Sequence, residues 1–358
     1  MKLRILTLLT LLALLLTSMT ACFNAPVDDS KDTGDTESTT DTSDDKAPAT
    51  PVEVNVFTLN GTTGFGMAKL MNDAKNNAFT TEKYSFQVKS NAADVTAALV
   101  NGDADIAALP TNAAANLYNV TNGEIQILAV NTRGCLYLLT KGDVTVNSLN
   151  DLKGKTVYTP AQNPSFIFQE ICQKNGLEIG TGADKVDINS TEFAEPANLR
   201  EAILNDDKVQ IAVLPEPMVT MVMASAKQNN ISITNAMDLT AEWDKINPQG
   251  SLVQGCVVAR KAFVQENPQT VANFLAAYEA SINYLTTNTE EAAQMIEDNG
   301  IFAKAAVAKN AIPKCNVCYL DGAEMKTAME TYLNVLYLIA PKSIGNKLPA
   351  ADFYYNAK

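Results

Sequence analysis

The residues able to do chemistry in this chain are few in kind. Among 358 residues there is no histidine. That excludes Ser-His-Asp and Cys-His catalysis, His-containing zinc or iron sites, and imidazole proton transfer near neutral pH. What remains are six cysteines, a surplus of carboxylates, and Thr, Asn and Gly where strand-like runs give way to helix-like ones. The cysteines are Cys22, Cys135, Cys172, Cys256, Cys315 and Cys318. Cys315 and Cys318 have CxxC spacing but lie in the strand-like string 315–320, where alternation sends positions i and i+3 to opposite faces. No second CxxC completes a zinc site. Buried or incidental thiols are expected, with no metal and no cofactor. Forty Asp+Glu against 27 Lys+Arg give a net charge of −13, which argues against a nucleic-acid partner.

Four turns carry the polar residues best suited to hold a ligand. Thr62, Thr63 and Gly64 follow one strand-like run, and Thr111 and Asn112 follow Pro110 after another. Gln162, Asn163 and Ser165 open a helix-like run, as does Glu216 with Pro217. Helix starts present free N–H groups and a positive dipole end, which suit polar or anionic groups. Each residue could equally serve its own helix as an N-cap. Glu216 separates ligand classes. A carboxylate at a cleft repels a sulfonate or nitrate and pairs with a cation, an amine or an amino-pyrimidine, whereas a first-turn Glu facing water does neither. Phe65, Tyr158 and Phe166 are near enough to these turns to stack on a planar ring, or to be core. Trp243, the sole tryptophan, fits a cleft lid and a surface packing residue alike.

An internal repeat supplies the elements that position these turns. At a constant offset of 105, Ala97, Leu99, Ile106, Ala107, Leu109 and Pro110 meet Ala202, Leu204, Ile211, Ala212, Leu214 and Pro215. Both copies read as a helix end, a polar turn, a short buried strand and a proline near the next helix. Upstream, 56–65 matches 157–166 more weakly. Each half therefore reads strand–helix three times over. In the first half the elements are about 53–59, 64–77, 83–88, 93–101, 104–109 and 111–119. In the second they are about 156–159, 164–175, 185–189, 196–205, 209–214 and 216–227. Such alternation implies parallel sheets with helices on both faces, hence two α/β lobes and a cleft between them. Runs 125–139 and 251–259 read as the two hinge crossings, giving lobe 1 as 51–132 with 257–358 and lobe 2 as 133–256. Apolar stripes Val271, Phe274, Leu275, Tyr278, Ile282 and Ala328, Tyr332, Val335, Leu336 mark helices that should pack on lobe 1.

The N-terminus places this body outside a membrane. Lys2 and Arg4 precede an apolar run from Ile5 to Leu16, too short to span a bilayer, so residues 1–21 read as an export signal. Thr20-Ala21-Cys22 resembles a bacterial lipobox, with Met19 where Leu is more usual. The resemblance implies cleavage before Cys22 and acylation of its thiol. Residues 22–50 then form an acidic tether with too little apolar surface to fold.

Together these features resemble the solute-binding lipoproteins of ABC importers, in the group that binds nitrate, sulfonates, taurine and thiamine-pyrimidine precursors. The likeness rests on 60–67 (NGTTGFGM), 102–107 (GDADIA), 151–157 (DLKGKTV), 214–217 (LPEP) and 263–268 (FVQENP), which span most of 52–285 in order. It implies a two-lobed type 2 periplasmic-binding-protein fold and a monomer anchored by lipid at the outer face of the cytoplasmic membrane. It also implies capture of a small polar solute by hinge closure and delivery to a permease driven by its ATPase. No ligand-defining signature is present. The competing readings are an enzyme on the same bilobed fold and a surface lipoprotein for adhesion or sensing.

Overall fold

A computed structural model describes residues 50–356. The expected export signal, Cys22 and the tether lie outside the described residues. In chain order the first half comprises β1 (Val52–Leu59), α1 (Thr62–Phe65), α2 (Ala68–Lys75), β2 (Glu82–Lys89), α3 (Ala92–Asn101), β3 (Ile106–Pro110), α4 (Thr111–Val120) and β4 (Ile125–Arg133). The second comprises β5 (Leu136–Lys141), β6 (Thr156–Tyr158), α5 (Asn163–Lys174), β7 (Glu178–Ile179), β8 (Lys185–Asn189), α6 (Pro196–Asn205), β9 (Ile211–Pro215), α7 (Met218–Asn229), β10 (Ile233–Asp238) and α8 (Leu239–Trp243). The return comprises β11 (Val253–Arg260), α9 (Lys261–Glu266), α10 (Pro268–Thr287), α11 (Thr289–Asp298), α12 (Ala305–Ala311), β12 (Val317–Leu320) and α13 (Gly322–Ile339).

These strands build two six-stranded sheets, ordered β12-β4-β11-β3-β1-β2 and β10-β5-β9-β6-β8-β7. The repeat is visible in the pairing. β1 lies parallel between β2 and β3, and β6 lies parallel between β8 and β9. Each third strand then meets an antiparallel neighbour, β3 with β11 and β9 with β5. This is the doubly wound, two-lobed architecture of periplasmic-binding proteins. Helices cover both faces because parallel strands need crossovers that fold back over the sheet.

The two sheets are joined by two crossings that touch. Gly134 and Cys135 carry the chain from β4 to β5, and residues 239–252 carry it back. At Gly134 an added Cβ would lie 2.4 Å from the Thr240 hydroxyl and 2.6 Å from Leu252, so only glycine lets the crossings approach this closely. Residues 253–256, assigned to lobe 2 from the sequence, pair in the first sheet as the start of β11.

Three local expectations change. The helix expected over 64–77 is broken into α1 and α2. The Ser281 hydroxyl of α10 donates to the Gly66 carbonyl at 2.6 Å and accepts from the Leu70 N–H at 3.1 Å, standing where a helical hydrogen bond would run. Gly66 permits this, since a Cβ there would meet Ile282 at 2.8 Å. Cys315 is not in a strand. It precedes Asn316, whose φ of 48° turns the chain before β12, and all five described cysteines are free thiols. Trp243 is fully buried, donates its indole N–H to Ser251 Oγ at 3.0 Å and packs on Tyr332 of α13, so it is a core residue and neither a lid nor a surface one.

The apolar stripes behave as the periodicity dictates. Val271, Phe274, Leu275, Tyr278 and Ile282 of α10 are all buried in one core with α2 and the outer face of the first sheet. The α13 stripe joins a second core that runs from α3 and α4 through Tyr332 to Trp243 and α5, linking both sheets.

Candidate functional site

The parallel strands of both sheets point their carboxyl ends at a common cavity of about 1020 Å³. Leu59 ends β1, Pro110 ends β3 and Pro215 ends β9, and all three line it. Ligands collect at such ends because the chain turns there into helix starts, leaving backbone N–H groups unpaired.

Four of the residues expected at the site form part of its wall: Thr62, Thr63, Asn163 and Glu216. Thr62 begins α1 and its hydroxyl donates across the cleft to the Glu216 carbonyl at 2.8 Å. Thr63 is held by its carbonyl, which accepts from the Asn131 carboxamide at 3.1 Å. Asn163 begins α5. It is 7% exposed, and its carboxamide oxygen is buried without a hydrogen-bond partner. An acceptor so placed costs stability unless something donates to it.

Glu216 is 2% exposed. One carboxylate oxygen accepts from the Thr220 N–H and the other from the Thr220 hydroxyl, both at 3.0 Å. It thus caps α7 across a cis peptide bond to Pro217. Burial raises its pKa above the ordinary 4.5, and the two Thr220 hydrogen bonds oppose that rise. The expected alternative of a first-turn Glu facing water does not hold: Glu216 precedes α7, serves that helix from a buried position, and is the most deeply buried carboxylate on the cavity wall.

The other expected residues sit behind the wall, each for a physical reason. Gly64 packs its backbone on Leu59 and Ile301, where a Cβ would clash. Phe65 is fully buried and meets Phe302 edge-on. The Thr111 hydroxyl donates to the Val253 carbonyl of β11 at 2.8 Å, tying α4 to the sheet, and Asn112 is buried beside it. Tyr158 packs on Phe193. Gln162 is exposed just before α5 at a φ of 65° and does not line the cavity, and Ser165 is buried two positions beyond Asn163 in α5. Phe166 is half-buried against the core that links the sheets.

Several wall residues were not among those expected at the site from the sequence. Asn60, Ser90 and Asn91 come from the turns after β1 and β2, and Gln254 comes from β11, its side-chain carboxamide oxygen accepting from the Cys135 N–H at 2.9 Å. The rim adds Arg200, whose guanidinium pairs with Glu201 and reaches the Met221 sulfur at 3.2 Å. Met218 and Met221 supply an adaptable apolar patch. The segment 297–304 closes one side, with the Gly61 N–H held by the Ile301 carbonyl at 2.9 Å.

Cys135 lines the cavity, but burial and the nearby Glu216 push its thiol up to about 12, so it is a poor nucleophile. The Thr62 hydroxyl also approaches Cys315 Sγ at 3.6 Å, and burial holds that thiol well above its ordinary value. Among the described residues no group of three or more Cys, Asp or Glu could hold a metal ion. The arrangement is one for enclosing a molecule between two walls.

No curated protein sequence matches this chain. Solved structures do. An ABC transporter from Parabacteroides distasonis is 24% identical with a TM-score of 0.69, covering 86% of this chain and all of its own. The periplasmic aliphatic sulphonate binding protein SsuA from Escherichia coli is 14% identical with a TM-score of 0.65, covering 83% of this chain and 96% of its own. A zinc-bound ligand-binding component of an ABC-type import system from Staphylococcus aureus is 13% identical with a TM-score of 0.62, covering 85% and 96%. These likenesses establish a shared fold. The sequence profile of the NMT1/THI5-like family matches residues 83–292, more than half of the chain and all of lobe 2, and the chain therefore belongs to the NMT1/THI5-like family.

Proposed function

We propose that this protein is an extracytoplasmic solute receptor of an ABC importer, anchored through an acylated Cys22, that holds a small polar molecule between its lobes. The observation that carries the reading is the cavity of about 1020 Å³ walled by strand ends of both sheets. That volume suits a metabolite-sized guest. Contacts already cross the cleft: Thr62 to the Glu216 carbonyl, and the Tyr137 hydroxyl to the Lys314 carbonyl at 3.2 Å. A guest that touches both walls adds contacts that an open form lacks, so binding and closure are the same equilibrium. The permease then recognises the closed shape. The P. distasonis, E. coli and S. aureus structures support the transport setting by their own names.

The second lobe contributes two acceptors from wall residues, Asn163 Oδ1 and the Glu216 carboxylate, both buried in this form, and we infer that a guest engages them. It should therefore bring N–H or O–H donors to that side. The test is a thermal-shift panel of amino-heterocycles, amines, sulfonates and oxyanions. One compound at a hundredfold its Kd should stabilise the protein by about 2.7 kcal/mol. A panel without any shift, in which a compound is instead converted to product, overturns the receptor reading in favour of an enzyme on this fold.

A further inference from the structure

A second cavity, of about 390 Å³, lies within the first lobe. β2 supplies one side of it. Along that strand Tyr84, Phe86 and Val88 alternate with the exposed Lys83, Ser85 and Gln87, so the three turn to one face. Met71 and Lys75 of α2 supply another side, and Asn299, which caps the end of α11, is the remaining polar wall residue. Phe79 meets the Tyr84 ring edge-on with centroids 4.9 Å apart, and Phe274 of α10 packs on it at 6.2 Å, so the ring is held in place.

Two polar atoms of these wall residues have no partner. The Tyr84 hydroxyl and Asn299 Oδ1 are both shielded from solvent and unpaired. Turning the Asn299 carboxamide round would not relieve this, because its Nδ2 already donates to the Met295 carbonyl at 2.8 Å and the Ala68 carbonyl at 3.3 Å. Burial and the nearby Glu82 raise the Tyr84 pKa above its ordinary value, so the phenol keeps its proton. The cavity therefore combines one acceptor with one hydroxyl able to donate, and each costs stability while it is unmet.

No buried charge accompanies that pair. Lys75 is the one charged wall residue; it is exposed, and its ammonium reaches the Asp298 carbonyl at 3.4 Å. The Asp298 carboxylate accepts from the Gln294 carboxamide at 2.9 Å. Glu82, on the same face of β2, accepts from the Thr81 hydroxyl and the Asn273 carboxamide, both at 2.7 Å. The volume is at the small end of ligand sites, with room for a single ring and a short polar group.

We infer that this cavity is a second small-molecule site, suited to a neutral aromatic carboxamide. The ring lies against Phe86, Val88 and Met71, the amide N–H donates to Asn299 Oδ1, and the amide carbonyl accepts from the Tyr84 hydroxyl. Both polar atoms are shielded in this form, so entry of the guest involves adjustment of the side chains around them. Asn299 is followed directly by Gly300 to Lys304, which line the cleft, and Ile301 among them holds the Gly61 N–H. A molecule in the second cavity thus touches the residue from which that part of the cleft wall departs. The inference uses none of the residues on which the receptor reading rests and stands independently of it.

The test is NMR of the full chain labelled at its methionine methyl groups and titrated with benzamide. Met71 reports on the second cavity, while Met218 and Met221 report on the cleft. Benzamide should shift the Met71 signal saturably, with a dissociation constant of about a millimolar. Acetophenone has a similar shape and keeps the carbonyl but lacks the N–H donors, and should bind about tenfold more weakly. Tyr84→Phe should weaken benzamide about fivefold, whereas Glu216→Gln should leave the Met71 titration unaltered. A Met71 signal that does not move, or a response confined to Met218 and Met221, overturns the inference. So does equal binding of acetophenone and benzamide, which would mean apolar partitioning in which Asn299 takes no part.

Discussion

The two copies of the internal repeat end in the same short strand and then diverge. β3 (Ile106–Pro110) and β9 (Ile211–Pro215) have identical burial, each fully buried until its closing proline. After Pro110 the helix begins at once, and Thr111 turns its hydroxyl inward to the Val253 carbonyl. After Pro215 two residues intervene before α7 begins at Met218. Those two residues decide what each junction does. The short junction places its polar residue against the sheet and contributes stability. The longer one swings Glu216, Met218 and Met221 to the cavity wall and offers the Glu216 carbonyl to Thr62 across the cleft. A repeat duplicates the scaffold, and a small difference in where the helix starts divides holding the fold from holding a guest.

The largest expected effect belongs to the inward junction. Thr111→Val keeps the shape but removes the donor from a buried carbonyl. It should cost about 1–2 kcal/mol of folding stability, read as a lower denaturation midpoint with an unchanged slope. Solute affinity should not change. A loss of affinity at unchanged stability would place Thr111 at the site and dissolve the contrast between the junctions.

Glu216→Gln tests the outward junction. Against a cationic or amine-bearing guest, affinity should fall about tenfold; an anionic guest should bind no worse. The same variant reports on the carboxyl group itself. Because burial raises the pKa of Glu216 in the folded protein, its contribution to stability is fully present below the unfolded value and is lost as pH rises through the folded one. Gln, which mimics the neutral acid, loses nothing over that range. The melting temperature of the unsubstituted protein should therefore drop relative to the variant as pH is raised past the ordinary 4.5. A gap that stays constant with pH would mean that Thr220 compensates the burial.

How much of this was legible beforehand follows from the range of the interactions. The strand–helix alternation and the 105-residue repeat are local signals, and β3, β9, α3 and α6 stand within a few residues of where periodicity puts them. The break between α1 and α2 was not legible, because Ser281 lies 215 residues from Gly66. Thr111 and Asn163 look alike in sequence, each polar and each at a helix start. Only the arrival of a β11 acceptor beside the first, and of no hydrogen-bond donor beside the second, separates them. The segment 297–304 escaped notice because it belongs to neither copy of the repeat and reaches the cleft only by tertiary packing.

Asn163 provides the smallest stability effect and the sharpest contrast with Thr111. Its buried oxygen has no donor within the protein, so Asn163→Ala removes a polar atom that nothing satisfies. The empty protein should lose less than about 0.5 kcal/mol, or gain slightly, since eliminating an unpaired acceptor offsets the lost packing. The liganded protein should lose about tenfold in affinity, because the donor that Asn163 awaits is on the guest. Calorimetric titration beside thermal melts of the same samples separates the two quantities. If the melt falls as far as that of Thr111→Val while affinity holds, Asn163 is a structural cap like Thr111, and the second lobe reads its guest through Glu216 without it.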